Sequence, residues 1–393
     1  MYNPIIEQND KCYGCGACVE VCPKSCLELT KDALGFKSVR FISNDSCVSC
    51  GACSKVCEAL NMRKGQNIIF KRFYAQNKNM EVLKRSSSGG VFTALANYVF
   101  KNGGCVWGVC MTPNGKNEFM CADDYDSLKA LCGSKYVEVD TQLPFLEVQK
   151  QLKSGRLVLF SGTPCQIQAM NAYLNNVNYE NLILVDLLCY GVQSPVMWEK
   201  YLSEINPSCS KIVNLQMRFK KPGWENYSMK VEFENGRKYK KSRWKDPYLL
   251  SYASNLYNRP ICTNCKAKGF PRISDITLGD FWQIDTLPSI PREVKIDLGV
   301  SIVLTHSQCG FEIIKQLEEE LHIYELPKDV FVNMIDRFSE CSRENVKKES
   351  FFAEVEQRGF KYAVKNNIEN QLYMRLRFKY LKVKRMLKRM KKR

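Results

Sequence analysis

The stretch RSSSGGVFTALANYVFKNGG sets apolar residues at helical spacing behind a run of serines and stops at Gly103-Gly104, which predicts a helix capped by a serine. CVWGVCM follows as a short, continuously apolar strand. Further on, RLVLF reads as a strand, SGTPC as a turn, QIQAMNAYL as a helix and LILVDLLCY as another buried strand. Strands alternating with helices predict an α/β core. The middle of the chain differs, because YSMKVEF and RKYKKSRW flank ENG, a hairpin signal. From Tyr373 onward, Leu376, Tyr380, Val383, Leu387 and Met390 make one apolar stripe of a basic helix. No run of about 18 apolar residues occurs, so no membrane-spanning helix is expected.

Charge alters this picture in one place. The 393 residues carry a formal net charge of +17, but LYMRLRFKYLKVKRMLKRMKKR supplies eleven Lys and Arg with no acid, leaving +6 for the rest. Such a helix suits an anionic membrane surface, where each basic residue contributes about 1 kcal/mol. It suits equally well a partner, or the protein's own core with a solvated basic end. No nucleic-acid recognition motif accompanies the charge, so nucleic acid is not an expected partner. The N-terminus carries no export signal, which predicts a cytoplasmic protein, or one peripheral to the inner membrane face through its tail. In that compartment twenty cysteines point to metal binding rather than disulfides.

Nine of those cysteines fall in the first 57 residues. Cys12, Cys15, Cys18 and Cys22 repeat their spacing in Cys47, Cys50, Cys53 and Cys57. Three thiolates on a tight loop grip three corners of a [4Fe-4S] cluster, and the fourth of each run ligates the other cluster. The expected sets are therefore Cys12, Cys15, Cys18 and Cys57, and Cys47, Cys50, Cys53 and Cys22. Zinc sites usually pair two CxxC units and do not use such triplets. Gly14, Gly16 and Gly51 let backbone N–H groups aim at sulfur. Cys26 reads as packing. Residues 1–65 resemble a bacterial two-cluster ferredoxin domain, although Glu58 stands where the first run has Pro23.

Two turns, Ser86-Ser87-Ser88-Gly89-Gly90 and Ser161-Gly162-Thr163-Pro164, stand where helices begin and suit either a bound phosphate or an ordinary N-cap. No GxGxxG follows a strand, and neither G-x-S-x-G nor a P-loop occurs, which excludes the commonest dinucleotide, hydrolase and kinase signatures. Two histidines, His306 and His322, leave little material for histidine chemistry.

SSSGGVFTALA, GSKYV, SGTPCQ, LLCYGVQSP, CTNC, SDITLGDFW and DLGVSIVLTH, in that order, resemble the coenzyme F420 hydrogenase/dehydrogenase beta-subunit family over residues 80–320. The resemblance implies a beta-subunit N-terminal domain at 80–155, a C-terminal domain at 156–330 and a helical region at 331–393. It also implies FAD between a two-electron carrier and the clusters, because a flavin accepts two electrons and releases them singly. On that view Ser86, Ser87, Ser88, Gly89, Gly90, Gly162 and Thr163 become cofactor-binding candidates. Ser134 joins them, and Lys135 is either a fixed charge beside reduced flavin or a surface lysine. Asp280 is a candidate catalytic group, and Phe281 and Trp282 either frame a ring or belong to the core. Cys165, Cys189, Cys262 and Cys265 form a Cys₄ set for a third [4Fe-4S] cluster, a zinc ribbon fragment, or unliganded thiols. Cys105, Cys110, Cys121, Cys132, Cys209, Cys309 and Cys341 read as packing.

The expected fold is thus a small two-cluster ferredoxin domain, a mixed α+β or α/β flavin-binding body and a basic C-terminal helix. The leading expectation for function is an iron–sulfur flavoprotein oxidoreductase that exchanges electrons with F420H2, NAD(P)H or ferredoxin. The alternatives are an electron-transfer subunit that serves a redox partner protein, and an accessory protein of polysaccharide biosynthesis at the membrane surface.

Overall fold

A computed structural model describes residues 11–42, 46–62 and 69–368, together with Leu376, Tyr380 and Val383. The N-terminal module carries one hairpin, β1 (Leu27–Lys31) paired antiparallel with β2 (Lys37–Phe41), and short helices at Ala17–Glu20, Ala52–Val56 and Glu58–Asn61. The strands that follow are β3 (Lys71–Asn77), β4 (Cys105–Met111), β5 (Asn117–Ala122), β6 (Val158–Gly162) and β7 (Leu182–Leu187). Next come β8 (Ile212–Phe219), β9 (Ser228–Phe233), β10 (Lys238–Ser242), β11 (Ile276–Asp280), β12 (Ser301–Thr305) and β13 (Leu321–Glu325).

Eight of these strands form one mixed sheet in the order β13-β3-β12-β11-β7-β6-β4-β5. Its middle, β11-β7-β6-β4, is parallel, and its flanks are antiparallel. The two segments expected at 80–155 and 156–330 both contribute strands to this sheet. The polar stretch KRFYAQN, for which no strand is expected above, is β3 and lies between β12 and β13. Its alternation is hidden because Tyr74 and Ala75 are buried together with polar Gln76 and Asn77, whose side chains bond backbone carbonyls.

Side chains alternate across the sheet with period two. Val158, Phe160, Leu184 and Trp107 face one layer, built from helices Phe145–Lys153 and Pro164–Tyr173 and from the N-terminal module. Leu159, Val106, Ile183 and Val185 face the other, built from helices Val91–Lys101, Tyr125–Leu131 and Gln308–Gln316. The hairpin expected around ENG is present as β9 and β10, joined by β8 into a separate antiparallel sheet. Helices Pro195–Ile205, Pro247–Ala253, Lys348–Arg358 and Phe360–Asn367 close a third core with that sheet. Beyond residue 331 the chain is helical at Lys328–Ser339, Lys348–Arg358 and Phe360–Asn367 with a non-helical stretch between the first two, and the later helices pack into the middle of the chain. Most of the basic tail, including Leu387 and Met390, lies outside the described residues, while Leu376, Tyr380 and Val383 are helical and exposed. No helix among the described residues is long and apolar enough to cross a membrane.

One buried ion pair fixes the parallel centre. Asp186, in β7, accepts from Arg272 at 2.8 Å, and both side chains are 2% exposed. Thr277 of β11 donates to the other carboxylate oxygen. Replacing Arg272 by Met leaves that carboxylate buried and unpaired, at a cost of about 3–5 kcal/mol. A lowered thermal midpoint for Arg272→Met, partly recovered by adding Asp186→Asn, is the expected outcome; an unchanged midpoint would contradict it.

Candidate functional site

The C-terminal ends of parallel strands point at one edge of an α/β sheet, where ligands are usually bound. Met111 ends β4, Cys165 follows β6, Cys189 follows β7, and Asp280 ends β11. Residues far apart in the chain are gathered at this edge.

Twelve cysteines fall into three groups of four. Cys12, Cys15, Cys18 and Cys57 lie within electrostatic reach of one another, and all four line a single cavity beneath β2. Burial first, then the neighbouring Cys12 and Cys57 thiols, push Cys15 up to about 12. In the second group Cys53 is close to Cys22 and Cys50, and Cys26 bridges Cys22 and Cys47. In the third, Cys165 neighbours Cys265, Cys189 and Cys262, and burial with Cys189 pushes Cys262 up to about 12. Each group has a backbone N–H aimed at sulfur, from Gly14 to Cys12, from Cys26 to Cys22 and from Gly191 to Cys189, all at 3.3 Å.

Buried thiols gathered in this way ionise only beside a compensating cation, so each group could hold a metal centre. Spacing decides what kind. A tetrahedral zinc ion bound at about 2.3 Å draws its sulfurs to about 3.8 Å of each other. Among the described residues, the one trio of metal-type donors lying within 4.8 Å of one another is Cys105, Cys121 and Asp123. None of the three cysteine groups holds a trio that tight among the described residues. The exceptional trio is satisfied without an ion: Gln151 accepts from Cys105 at 3.3 Å and donates to Cys121 at 3.7 Å, and Arg156 pairs with Asp123 at 2.6 Å. Cys26 and Cys341, expected to be packing, stand beside the second and third groups, where the Cys341 thiol donates to the Cys265 carbonyl at 3.5 Å.

The serine turn and GSKYV meet at a second cavity, of about 440 Å³. Ser87 accepts from the Ser134 backbone N–H at 2.8 Å, and the two hydroxyls are 2.9 Å apart. The serine cap expected for helix Val91–Lys101 is not formed. Gly90, at φ +78°, occupies the N-cap position, because the chain reverses there against Asn77. Ser86 bonds back to Val82, and Ser88 donates to the Val300 carbonyl at 3.0 Å. Gly89 passes so close to Ala75 and Ser301 that no side chain fits.

Arg85, Lys129, Lys135 and Arg218 stand on the wall of this cavity, with no carboxylate among the described lining residues. Lys135 is half-buried rather than a surface lysine. Its amine donates to the carbonyls of Leu131, Cys132 and Gly133 at 3.0–3.3 Å, and burial lowers it to about 8. Asp280 is committed to Arg218, at 2.5 and 3.1 Å, and to the Trp224 indole at 3.1 Å. Trp282 stacks on Trp224 at 4.3 Å, with the Arg218 guanidinium 5.0 Å from its ring. Phe281 is fully buried against Tyr74 in the core. Gly162 and Thr163 do not reach the cavity wall: Gln166 accepts from the Thr163 N–H at 2.8 Å, and the Thr163 hydroxyl is 3.2 Å from Cys165.

The family model for the coenzyme F420 hydrogenase/dehydrogenase beta subunit N-terminus matches residues 72–147, and that for its C-terminus matches residues 155–329. A 4Fe-4S dicluster domain model matches residues 11–60. The chain belongs to the coenzyme F420 hydrogenase/dehydrogenase beta-subunit family. It is 27% identical over 216 residues to one of the subunits of the F420H2 dehydrogenase of Methanosarcina mazei, a match that covers 50% of this chain and 59% of that protein. The matched part is thus less than two thirds of that relative's length. A chain in the F420-reducing [NiFe] hydrogenase complex from Methanosarcina barkeri, solved with xenon derivatization, aligns at 18% identity with a TM-score of 0.46, over 76% of this chain and 95% of that one.

Beyond the motifs of this family, no pattern in the sequence pointed to Lys220. Its buried amine donates to the carbonyls of Leu83 at 2.9 Å and Ser88 at 2.6 Å, and to that of Leu298, so it clamps the serine turn. An unsatisfied buried carbonyl costs about 1–3 kcal/mol. Lys220→Met is expected to raise amide hydrogen exchange across residues 83–90 well above that of the Val91–Lys101 helix; unchanged exchange would assign the clamp elsewhere.

Proposed function

We propose that the chain is an iron–sulfur flavoprotein subunit that moves electrons between a two-electron carrier and a protein partner. The carrying observation is the wall of the 440 Å³ cavity: four cations, no carboxylate among the described lining residues, and two serine-bearing turns opposed at 2.8 Å. Its size lies within the range of ordinary cofactor pockets. The charge suits an anionic ring-bearing ligand, and the backbone of the serine turns suits a phosphate. FAD would be held by Ser86, Ser87 and Ser134, with Arg218 fixed beside it by Asp280. When bound, a flavin supplies the exchange between paired and single electrons.

The roles of two residues follow from their positions. Asp280 is a positioning residue, because both carboxylate oxygens are engaged by Arg218 and one by Trp224 as well. Arg218 presents a permanent positive charge to the cavity, and the Asp280 carboxylate beside it holds it protonated against its burial. That charge stabilises negative charge developing on a reduced ring.

The eight N-terminal cysteines would hold two [4Fe-4S] clusters, and Cys165, Cys189, Cys262 and Cys265 a third. The third group adjoins both the first group and the cavity: Tyr136, next to Lys135, stacks at 4.4 Å on Tyr252, which lies within reach of Cys189. F420H2, NAD(P)H and ferredoxin are the carrier classes to try. Kinship with a dehydrogenase subunit favours a protein partner, with the basic tail as the partner or membrane contact.

Anaerobic purification of the full chain is expected to give about twelve irons and one flavin per chain. About eight irons without flavin would reduce the protein to a two-cluster carrier. Cys262→Ser should lower iron by about four, and unchanged iron removes it from the ligand set. Ser134→Phe, which fills the cavity, should lose flavin and keep iron; retained flavin would move the site elsewhere.

A further inference from the structure

The first and third cysteine groups are not merely neighbours. Cys165 lines the same cavity as Cys12, Cys15, Cys18 and Cys57. Arg259 donates to the Cys12 carbonyl at 2.9 and 3.2 Å and lies within electrostatic reach of Cys262. Tyr13, whose backbone belongs to the Cys12–Cys15 loop, lines that shared cavity as well. Its hydroxyl oxygen accepts from the Lys266 backbone N–H at 3.2 Å, which sets it beside Cys265 and within electrostatic reach of the Cys265 and Cys165 thiols.

With the oxygen accepting from Lys266, the phenolic proton is free to point at sulfur, and a cluster-bound thiolate is an acceptor. Hydrogen bonds donated to ligand sulfurs stabilise the more negative, reduced state of a cluster and raise its potential.

We propose that Tyr13 is a positioning residue for electron transfer, setting the potential of a cluster on Cys165, Cys189, Cys262 and Cys265 from within the loop that holds the first cluster. The inference rests on the third cluster of the proposed function. A ferredoxin module that sits on the body through Tyr13 thereby couples its own docking to the poise of the next cluster. With the module displaced, the phenolic donor leaves Cys265 and the potential of its cluster falls.

The test is Tyr13→Phe in the full chain, purified anaerobically and compared with the unaltered protein by iron analysis and by a redox titration followed by electron paramagnetic resonance. Phe keeps the ring and removes only the oxygen. The expected result is unchanged iron, with one couple shifted negative by a roughly tenfold change in its reduction equilibrium, or about 59 mV for one electron, while the others stay. Three results would overturn the proposal. About twelve irons with every couple unmoved removes the role of Tyr13 and leaves the third cluster standing. Loss of about four irons in Tyr13→Phe makes Tyr13 structural support rather than a tuning group. About eight irons in the unaltered protein removes the third cluster, and the proposal with it.

Discussion

Arg259 is where the two parts of the chain close on each other. Its guanidinium pairs with Glu138 at 2.6 Å, with both side chains almost fully buried, and donates to the backbone carbonyls of Cys12 and Lys37 in the N-terminal module. Glu138 in turn accepts from the Lys37 backbone N–H at 3.1 Å. A buried charge pair gives little net stability by itself, but losing one partner is severe, so an arrangement of this kind specifies geometry. Gly14 lies so near Lys37 and Arg259 that a side chain there would meet the Lys37 carbonyl oxygen at 2.6 Å. The module is docked tightly, and the same docking brings the Tyr13 hydroxyl to the Lys266 backbone N–H beside Cys265.

The sheet supplies the second constraint. Parallel strands release their following loops at one edge, so Cys165 and Cys189, 24 residues apart, arrive together as the sequels of adjacent β6 and β7. Cys262 and Cys265 come from a 3₁₀ turn held by the Arg259 segment, which ties the placement of half the third group to the docking of the module. Asp186, Arg272 and Thr277 hold β7 against β11 beneath these loops. Shape at the edge therefore depends on buried polar pairs rather than on apolar contact alone.

Legibility in the sequence divides along the same line. The cysteine runs could be read because ligand spacing is local, β4, β6 and β7 because their apolar patterns are local, and the β9–β10 hairpin because its ENG turn is local too. β3 could not, since its buried polar side chains bond carbonyls contributed by residues 90, 295 and 299. Lys220, Arg218 and Arg259 drew no reading of their own, because nothing in a linear pattern shows that a lysine's acceptors lie 78 to 137 residues away. Lys135 was visible within GSKYV, but its commitment to three carbonyls of its own helix end depends on how that helix stops. Cys341 looked like any packing cysteine until the segment after helix Lys328–Ser339 brought it beside Cys265.

The two kinds of site need opposite surroundings. A cluster changes by one electron and keeps its ligands, so it is best served by rigid, apolar walls with a few fixed N–H groups, as in the layer that contains Cys12, Cys15, Cys18 and Phe160. A ring cofactor that takes two electrons gains negative charge or protons, and it needs cations and access to exchangeable hydrogens. The fold separates these demands. The cysteine groups share the layer where the N-terminal module docks, while the cationic cavity opens between Met111, the serine turn and β8, where Arg218 and polar backbone are at hand. Tyr136, next to Lys135 on the cavity wall, stacks on Tyr252, which lies within reach of Cys189. Under the proposed function, single electrons at the cysteine groups and paired electrons at the cavity would meet across this one aromatic pair.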